Sequence, residues 1–249
     1  MIQSVTRALS ILEFISANHM ASLSSISKGV GLSKSTAHGL VATLEAMGYV
    51  HQDQETGKYS LGLKLFELGQ AVLAKMDLRA IAMPHLVDLA RRYKETAHLA
   101  IISGDEVVYI DKVDSPRSMR IASQVGGRNP AYCTGVGKIL LAGLPDEELH
   151  KLLAKMKFKR FTPNTITDVT TLKAHLVKVR RDGFATDNEE FEVGLSCYAA
   201  PIKNHLGKVI AAISLSGPTI RLADGDQGQI VADVVNVAGM ISAQLGFKE

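Results

Sequence analysis

The chain has 249 residues, 46% of them hydrophobic and 21% charged, which is enough material for one large or two modest domains with real cores. Its 28 basic against 25 acidic residues leave a net charge of +3, which excludes a polycationic nucleic-acid packager and an acidic disordered tail. The mean hydropathy of +0.11 comes with no run approaching the roughly 20 apolar residues of a membrane span, so no membrane partner is expected.

The N-terminus lacks a basic region followed by an apolar run and a small-residue cleavage site, so a cytoplasmic location is expected. The two cysteines, Cys133 and Cys197, are too few to staple a scaffold of this size or to form a metal cluster. The histidines include no i, i+4 pair, and neither a metal nor another cofactor is expected.

Val5, Ala8, Leu9, Leu12 and Ile15 repeat at the helical period and predict a first amphipathic helix ending near Asn18 and His19. Leu23, Ile26 and Val30 follow Ser22, a candidate N-cap, and predict a second. Gly31 stands where a tight turn between helices needs positive φ. Ser33 can cap a third helix, with Ala37, Leu40, Val41, Leu44 and Met47 on its inner face and Gly48 at its end. Two short runs, Tyr49–Gln52 and Lys58–Leu61, flank the polar turn 53–57 and predict a hairpin. Three helices and a hairpin in this order describe a winged helix-turn-helix over residues 1–62.

Opposite its apolar stripe, the third helix presents Ser35, Gly39 and Ala42, flanked by Thr36, His38 and Thr43, with Lys34 in its first turn. A small, polar face of this kind fits a major groove, and Lys58 on the hairpin can reach phosphate. The expected partner is double-stranded operator DNA. Residues 1–75 hold six basic and five acidic side chains, a net of only +1. A unit so weakly basic holds DNA poorly alone, so a homodimer that doubles the phosphate contacts is expected, or a homotetramer by pairing of dimers.

The segments Ser4-Val-Thr-Arg-Ala-Leu9, Gly31-Leu-Ser-Lys-Ser-Thr36, Leu44-Glu-Ala-Met-Gly-Tyr-Val50 and Tyr59-Ser-Leu-Gly62 resemble the N-terminal domain of IclR-type bacterial transcription regulators. One departure is Gly39, where that family usually carries an arginine in its recognition helix.

Residues 63–76 carry a helical pattern that includes Leu63, Phe66, Ala71 and Leu73 and predict a helical linker. Asp77 can cap a further helix bearing Leu78, Ile81, Leu86, Leu89 and Tyr93, with Pro84 as a potential kink. Beyond it, strands are expected at Thr96–Ser103, Glu106–Val113, Met119–Gln124, Phe184–Asp187, Ser196–Lys203 and Val209–Ser216. Helices are expected at Thr134–Leu141, Pro145–Lys155 and Leu172–Arg181, with a terminal one running from Ile230 to Leu245. Strands returning through short turns imply a mainly antiparallel α+β domain over residues 77–249.

Gly126-Gly-Arg-Asn-Pro130, Cys133-Thr-Gly-Val-Gly-Lys-Ile-Leu-Leu-Ala142, Gly183-Phe-Ala-Thr-Asp-Asn-Glu-Glu190 and Ser214-Leu-Ser-Gly-Pro218 resemble the effector-binding half of the same family. The resemblance implies a GAF-like sensor, a six-stranded antiparallel sheet with helices around a small-molecule pocket. Ser214 and Ser216, two apart on one strand, project from one face. The family pattern places them beside Cys197, Asp187 and the Gly126–Gly127 loop. Glycine-loop N–H groups with hydroxyl and thiol donors would suit a small carboxylate effector, and Asp187 would accept a hydrogen bond from it. Tyr132 and Met119 are expected to shape the apolar wall.

Enzymatic readings fare worse. Gly135-Val-Gly-Lys138 mimics a phosphate loop, but Tyr132 stands where its first glycine belongs and Ile139 where a serine or threonine should bind magnesium. Cys197 and His205 lack an orienting third group. The expected function is a ligand-responsive regulator of transcription, more often a repressor, with no catalytic residues. The competing reading is an enzyme or small-molecule-binding protein whose N-terminal helices only dimerise it.

Overall fold

The computed structural model describes residues 2–74 and 77–248, with the side chains of 72–77 outside that description. The capping role expected of Asp77, the packing of Leu73 and the end of the linker at 75–76 therefore lie outside the described residues. The chain divides into two compact units, Met1–Met76 and Asp77–Glu249.

In the first unit, α1 (Gln3–Asn18), α2 (Leu23–Gly29) and α3 (Lys34–Ala46) precede a two-stranded wing, β1 (Val50–Gln52) and β2 (Tyr59–Leu61), and then α4 (Leu63–Ala74). Capping fixes where the helices begin. The Ser22 hydroxyl accepts the Ser25 N–H, and the Ser33 hydroxyl accepts that of Thr36, each at 3.2 Å. Gly31 turns the chain between α2 and α3 at φ +67°, a conformation that costs a side-chain-bearing residue about 1–2 kcal/mol. Ile11, Ile15, Ile26, Val41, Leu44, Val50 and Tyr59 close the core.

The buried stripe of α1 differs from the expected one. Val5 and Leu9 are more than half exposed, while Ile11 is fully buried. The inward face is centred on Ile11 and Ile15, flanked by Ala8 and Leu12, and Leu9 stands about 160° around the helix from Ile11. Met47, expected on the inner face of α3, is also exposed.

The second unit opens with α5 (Asp77–Tyr93), which continues through Pro84, and the hairpin β3 (Thr96–Ser103) and β4 (Glu106–Val113). There follow β5 (Arg128–Pro130), a single 3₁₀ turn, α6 (Gly135–Ala142), α7 (Asp146–Leu153) and α8 (Val169–Asp182). The chain ends with β6 (Ala185–Asn188), β7 (Leu195–Lys203), β8 (Val209–Pro218), α9 (Thr219–Ala223) and α10 (Gln227–Gln244). All six strands pair antiparallel in the order β5-β4-β3-β8-β7-β6. One sheet face carries Leu99, Ile213 and Leu215 against Leu86, Leu89, Val234 and Ile241 of α5 and α10. The other carries Ala100, Ala185, Ala199 and Ala212 against α6, α7 and α8.

Three local expectations are corrected. Met119–Gln124 is no strand, because its backbone groups are taken elsewhere. The Met119 carbonyl accepts from Arg221 at 3.1 Å, the Gln124 carbonyl from the Gly127 N–H at 3.0 Å, and the Ser123 carbonyl from the Lys112 ammonium. The third strand is instead Arg128–Pro130, a segment for which no strand is expected from the sequence. Helix α8 begins at Val169 rather than Leu172, since the Asp168 carboxylate accepts the Thr171 N–H at 2.8 Å and caps it three residues earlier.

Candidate functional site

Two surfaces carry chemistry, one in each unit. On α3 the core takes Ala37, Val41 and Leu44, which leaves Lys34, Ser35, Thr36, His38, Gly39 and Thr43 all exposed. The hydroxyls there are partly engaged. Ser33 Oγ lies 3.1 Å from Ser35 Oγ and 2.8 Å from Thr36 Oγ1, and Thr43 Oγ1 donates to the Gly39 carbonyl at 2.9 Å. A methyl group at Gly39 would meet nothing within 4 Å, so that face is open. Lys58 is exposed at the foot of the wing, in a turn held by Asp53, whose carboxylate accepts both the N–H and the hydroxyl of Thr56 at 2.7 Å.

In the second unit a cavity of about 610 Å³ opens over the α6 side of the sheet. Strand register builds its floor. Directly paired residues of an antiparallel sheet share a face, so Asp187, Cys197 and Ser216 line up across β6, β7 and β8, and Ser214 pairs with His98 of β3. The neighbouring floor positions are small (Ala185, Ala199, Ala212), and a side chain on Gly135 of α6 would strike Cys197 Sγ at 2.6 Å. Small residues on both sides bring α6 close to the sheet.

Of the effector residues expected from sequence, Gly127, Asp187, Cys197, Ser214 and Ser216 line this cavity. Gly126 and Tyr132 do not. The Gly126 N–H donates to the Tyr109 carbonyl at 2.8 Å and that of Gly127 to Gln124, so neither amide is free to meet a carboxylate as expected. The 3₁₀ turn at Ala131–Cys133 sends the Tyr132 ring away from the cavity, where it packs on Phe158 and its hydroxyl donates to the Lys159 carbonyl at 2.8 Å. Met119 lines the mouth and is largely exposed rather than part of a buried wall.

Burial governs the electrostatics. It raises the Asp187 carboxyl to about 7, against the pull of the Glu190 N–H bond and of Lys138. Near neutrality Asp187 is therefore present in both forms and can donate to a ligand as well as accept from it. Burial also pushes the thiols of Cys133 and Cys197 up to about 12, so neither is a thiolate nucleophile. Beneath Asp187, Lys138 and Glu190 form a buried ion pair. The lysine of the apparent phosphate loop is thus fully buried and spent on a carboxylate.

His98, Ser123 and Asn129 also line the cavity and were missed in the sequence. A signal existed for His98. It shares strand parity with Thr96, opposite Ala97, Leu99 and Ile101, and this polar i, i+2 pair mirrors Ser214 and Ser216.

Residues 4–54 match the model of the IclR helix-turn-helix domain, and residues 70–243 match that of the bacterial transcriptional regulator IclR C-terminal domain. The HTH-type transcriptional regulator KdgR of Escherichia coli is 40% identical over 248 residues, covering 100% of this chain and 94% of the relative. The HTH-type transcriptional repressor AllR of Escherichia coli is 35% identical, covering 99% of this chain and 91% of the relative. Among solved structures, an IclR homolog from Microbacterium hydrocarbonoxydans complexed with 4-hydroxybenzoate superposes with a TM-score of 0.86 at 27% identity, covering 98% of this chain and 99% of that one.

Proposed function

Because the chain belongs to the IclR family of bacterial transcriptional regulators, a DNA-binding helix-turn-helix joined to an effector-binding domain, we propose that it is a cytoplasmic repressor released from or held on its operator by a small carboxylate. Helix α3 enters the major groove, with Lys34, Ser35, Thr36, His38 and Thr43 meeting phosphate and base edges beside Gly39, and Lys58 adds a backbone contact from the wing. A homodimer, or a pair of dimers, presents two such helices to the half-sites of a pseudo-palindrome and doubles a phosphate grip that is weak in one copy. The likeness to AllR, a named repressor, supports the sign of regulation.

The observation that carries the effector class is the pair of hydroxyls Ser214 Oγ and Ser216 Oγ, 3.1 Å apart, buried and lining the cavity. Two adjacent donors with an Asp187 that is largely neutral below pH 7 can receive a carboxylate without a buried countercharge. A relative's complex with 4-hydroxybenzoate supports the same class. A coupling free energy of about 1–3 kcal/mol between cavity and DNA would change operator affinity roughly 5–150-fold.

The test has two arms. DNA fragments selected by the protein from its own genome are bound at rising salt, where affinity falls steeply and Lys34→Glu or Ser35→Glu abolishes it while the fold survives. Calorimetry with aliphatic and aromatic carboxylates then finds a ligand whose binding the double variant Cys197→Ala, Ser214→Ala weakens. Normal DNA binding by the α3 variants, or unchanged ligand binding by the double variant, refutes the corresponding half.

A further inference from the structure

His98 is buried at the centre of a chain of hydrogen bonds that spans the cavity. On one side it is paired in register with Lys112 of β4, on the other with Ser214 of β8, so all three side chains share the cavity face. Its Nε2 lies 2.8 Å from Ser123 Oγ in the segment that crosses the cavity mouth. Its Nδ1 lies 3.5 Å from Ser214 Oγ and 3.4 Å from Ser216 Oγ.

Donor arithmetic gives this chain a direction. The Lys112 ammonium has three N–H groups and no acceptor, and three acceptors surround it: Asp114 Oδ1 at 2.8 Å, the Ser123 carbonyl, and Ser123 Oγ at 3.3 Å. Ser123 Oγ therefore accepts from the lysine, and among the described residues the acceptor within reach of its single proton is His98 Nε2, which assigns that proton to the ring. A ring nitrogen that accepts carries no proton, so the proton of the neutral imidazole sits on Nδ1 and is donated to the two serine oxygens. The imidazole is neutral at physiological pH, since burial and then the nearby Lys112 charge pull it down to about 4 against the weaker opposing pull of Asp114. Of the two serine protons, one at most bridges the pair, and the other is left for the ligand. The opposite tautomer would take a serine proton and turn oxygen lone pairs toward the ligand instead.

We propose that His98 is a specificity-determining residue of the effector cavity, holding Ser214 and Ser216 as hydrogen-bond donors through a relay that begins at Lys112 and passes through Ser123. The proposal rests on the reading of the cavity as a carboxylate site. It adds that selectivity for an acid over its neutral amide is set partly by a lysine that does not itself line the cavity.

The experiment is a long-range ¹H–¹⁵N correlation spectrum of the full-length protein labelled at histidine, at pH 7, without ligand. His98 is identified among the eight histidines by its loss in His98→Gln or, should that variant not fold, by its shift in Ser123→Ala. The expected result is an imidazole protonated at Nδ1 in the wild type, losing that preference in Ser123→Ala and Lys112→Met. Sodium acetate and acetamide are then titrated into the same sample. Acetate perturbs the His98 resonances at several-fold lower concentration than acetamide, and Ser123→Ala narrows that ratio at least threefold. Protonation at Nε2 in the wild type, or a ratio that Ser123→Ala leaves unchanged, overturns the relay. Acetate binding with Nε2 protonated removes the role of His98 and leaves the carboxylate reading intact. Nδ1 protonation with no response to acetate removes the carboxylate reading and, with it, the selectivity assigned to His98.

Discussion

Thr43 Oγ1 donates to the Gly39 carbonyl one turn back along α3, at 2.9 Å, on the face assigned to DNA. Gly39 is the weak point of that helix, because glycine fixes more backbone entropy than alanine and the space around it is empty. Gly39→Ala should stabilise the N-terminal unit by about 1 kcal/mol in urea unfolding. Gly39→Arg should tighten DNA binding and steepen the plot of log affinity against log salt by about one for each recognition helix. An arginine that stabilises the fold but leaves the salt slope unchanged would place DNA on another face.

Ser33 caps the same helix. Its hydroxyl accepts the Thr36 N–H and touches the hydroxyls of Ser35 and Thr36. Ser33→Ala should cost about 1 kcal/mol of stability. Ser33→Asp should restore the cap and still weaken DNA binding, because it brings a negative charge to the phosphates. Unfolding and fluorescence anisotropy on the same preparations separate the two effects.

The N-terminal unit was legible because its signals are local: Ser22 and Ser33 cap helices three residues ahead of the N–H they accept, and Gly31 marks a turn. The cavity was half legible. Ser214 and Ser216 share a strand, so their common face follows from spacing alone, whereas His98 joins them only through the β3–β8 register, 116 residues away. Met119–Gln124 alternates like a strand, but its carbonyls find side chains from distant parts of the chain, such as Arg221. Tyr132 misled because a one-turn 3₁₀ helix redirects it, and nothing in residues 131–133 announces that turn.

Lys138 and Glu190 form a pair that burial makes costly to break on one side. Neither is more than 7% exposed, and Glu190 Oε2 is, among the described residues, the buried side-chain oxygen without a hydrogen-bond partner. Lys138→Met should destabilise the second unit by about 3–5 kcal/mol, since it strands a buried carboxylate. Lys138→Met with Glu190→Gln should recover much of that loss, because a neutral amide has less solvation to lose. A double-mutant cycle in urea measures the recovery, and full additivity would mean that the two side chains do not act as a pair.

Asp187 gives the cavity a pH dependence whose sign can be worked out. Its carboxyl stands at about 7 in the fold against 3.8 in the unfolded chain, chiefly through burial, with the Glu190 charge adding to the rise and Lys138 opposing it. Between those values the folded state binds more protons than the unfolded one, so this residue makes stability fall as pH rises from 3.8 to about 7, after which its contribution is flat. His98 acts in the opposite sense. Held at about 4 against 6.5 when unfolded, it makes stability rise over that interval, and the two slopes largely cancel in the wild type. Asp187→Asn removes one of them. Its stability relative to the wild type should therefore climb by a few kcal/mol between pH 4 and pH 7 and then level off, as read by urea unfolding at half-unit steps. The same ionisation bears on the ligand. Above pH 7 a carboxylate meets a second negative charge across the cavity, so its affinity should fall as pH rises in the wild type and stay level in Asp187→Asn. A stability difference between the two proteins that stays flat from pH 4 to pH 7 would show that the fold holds Asp187 ionised across that range and that the cavity is built for a hydroxyl or a cation.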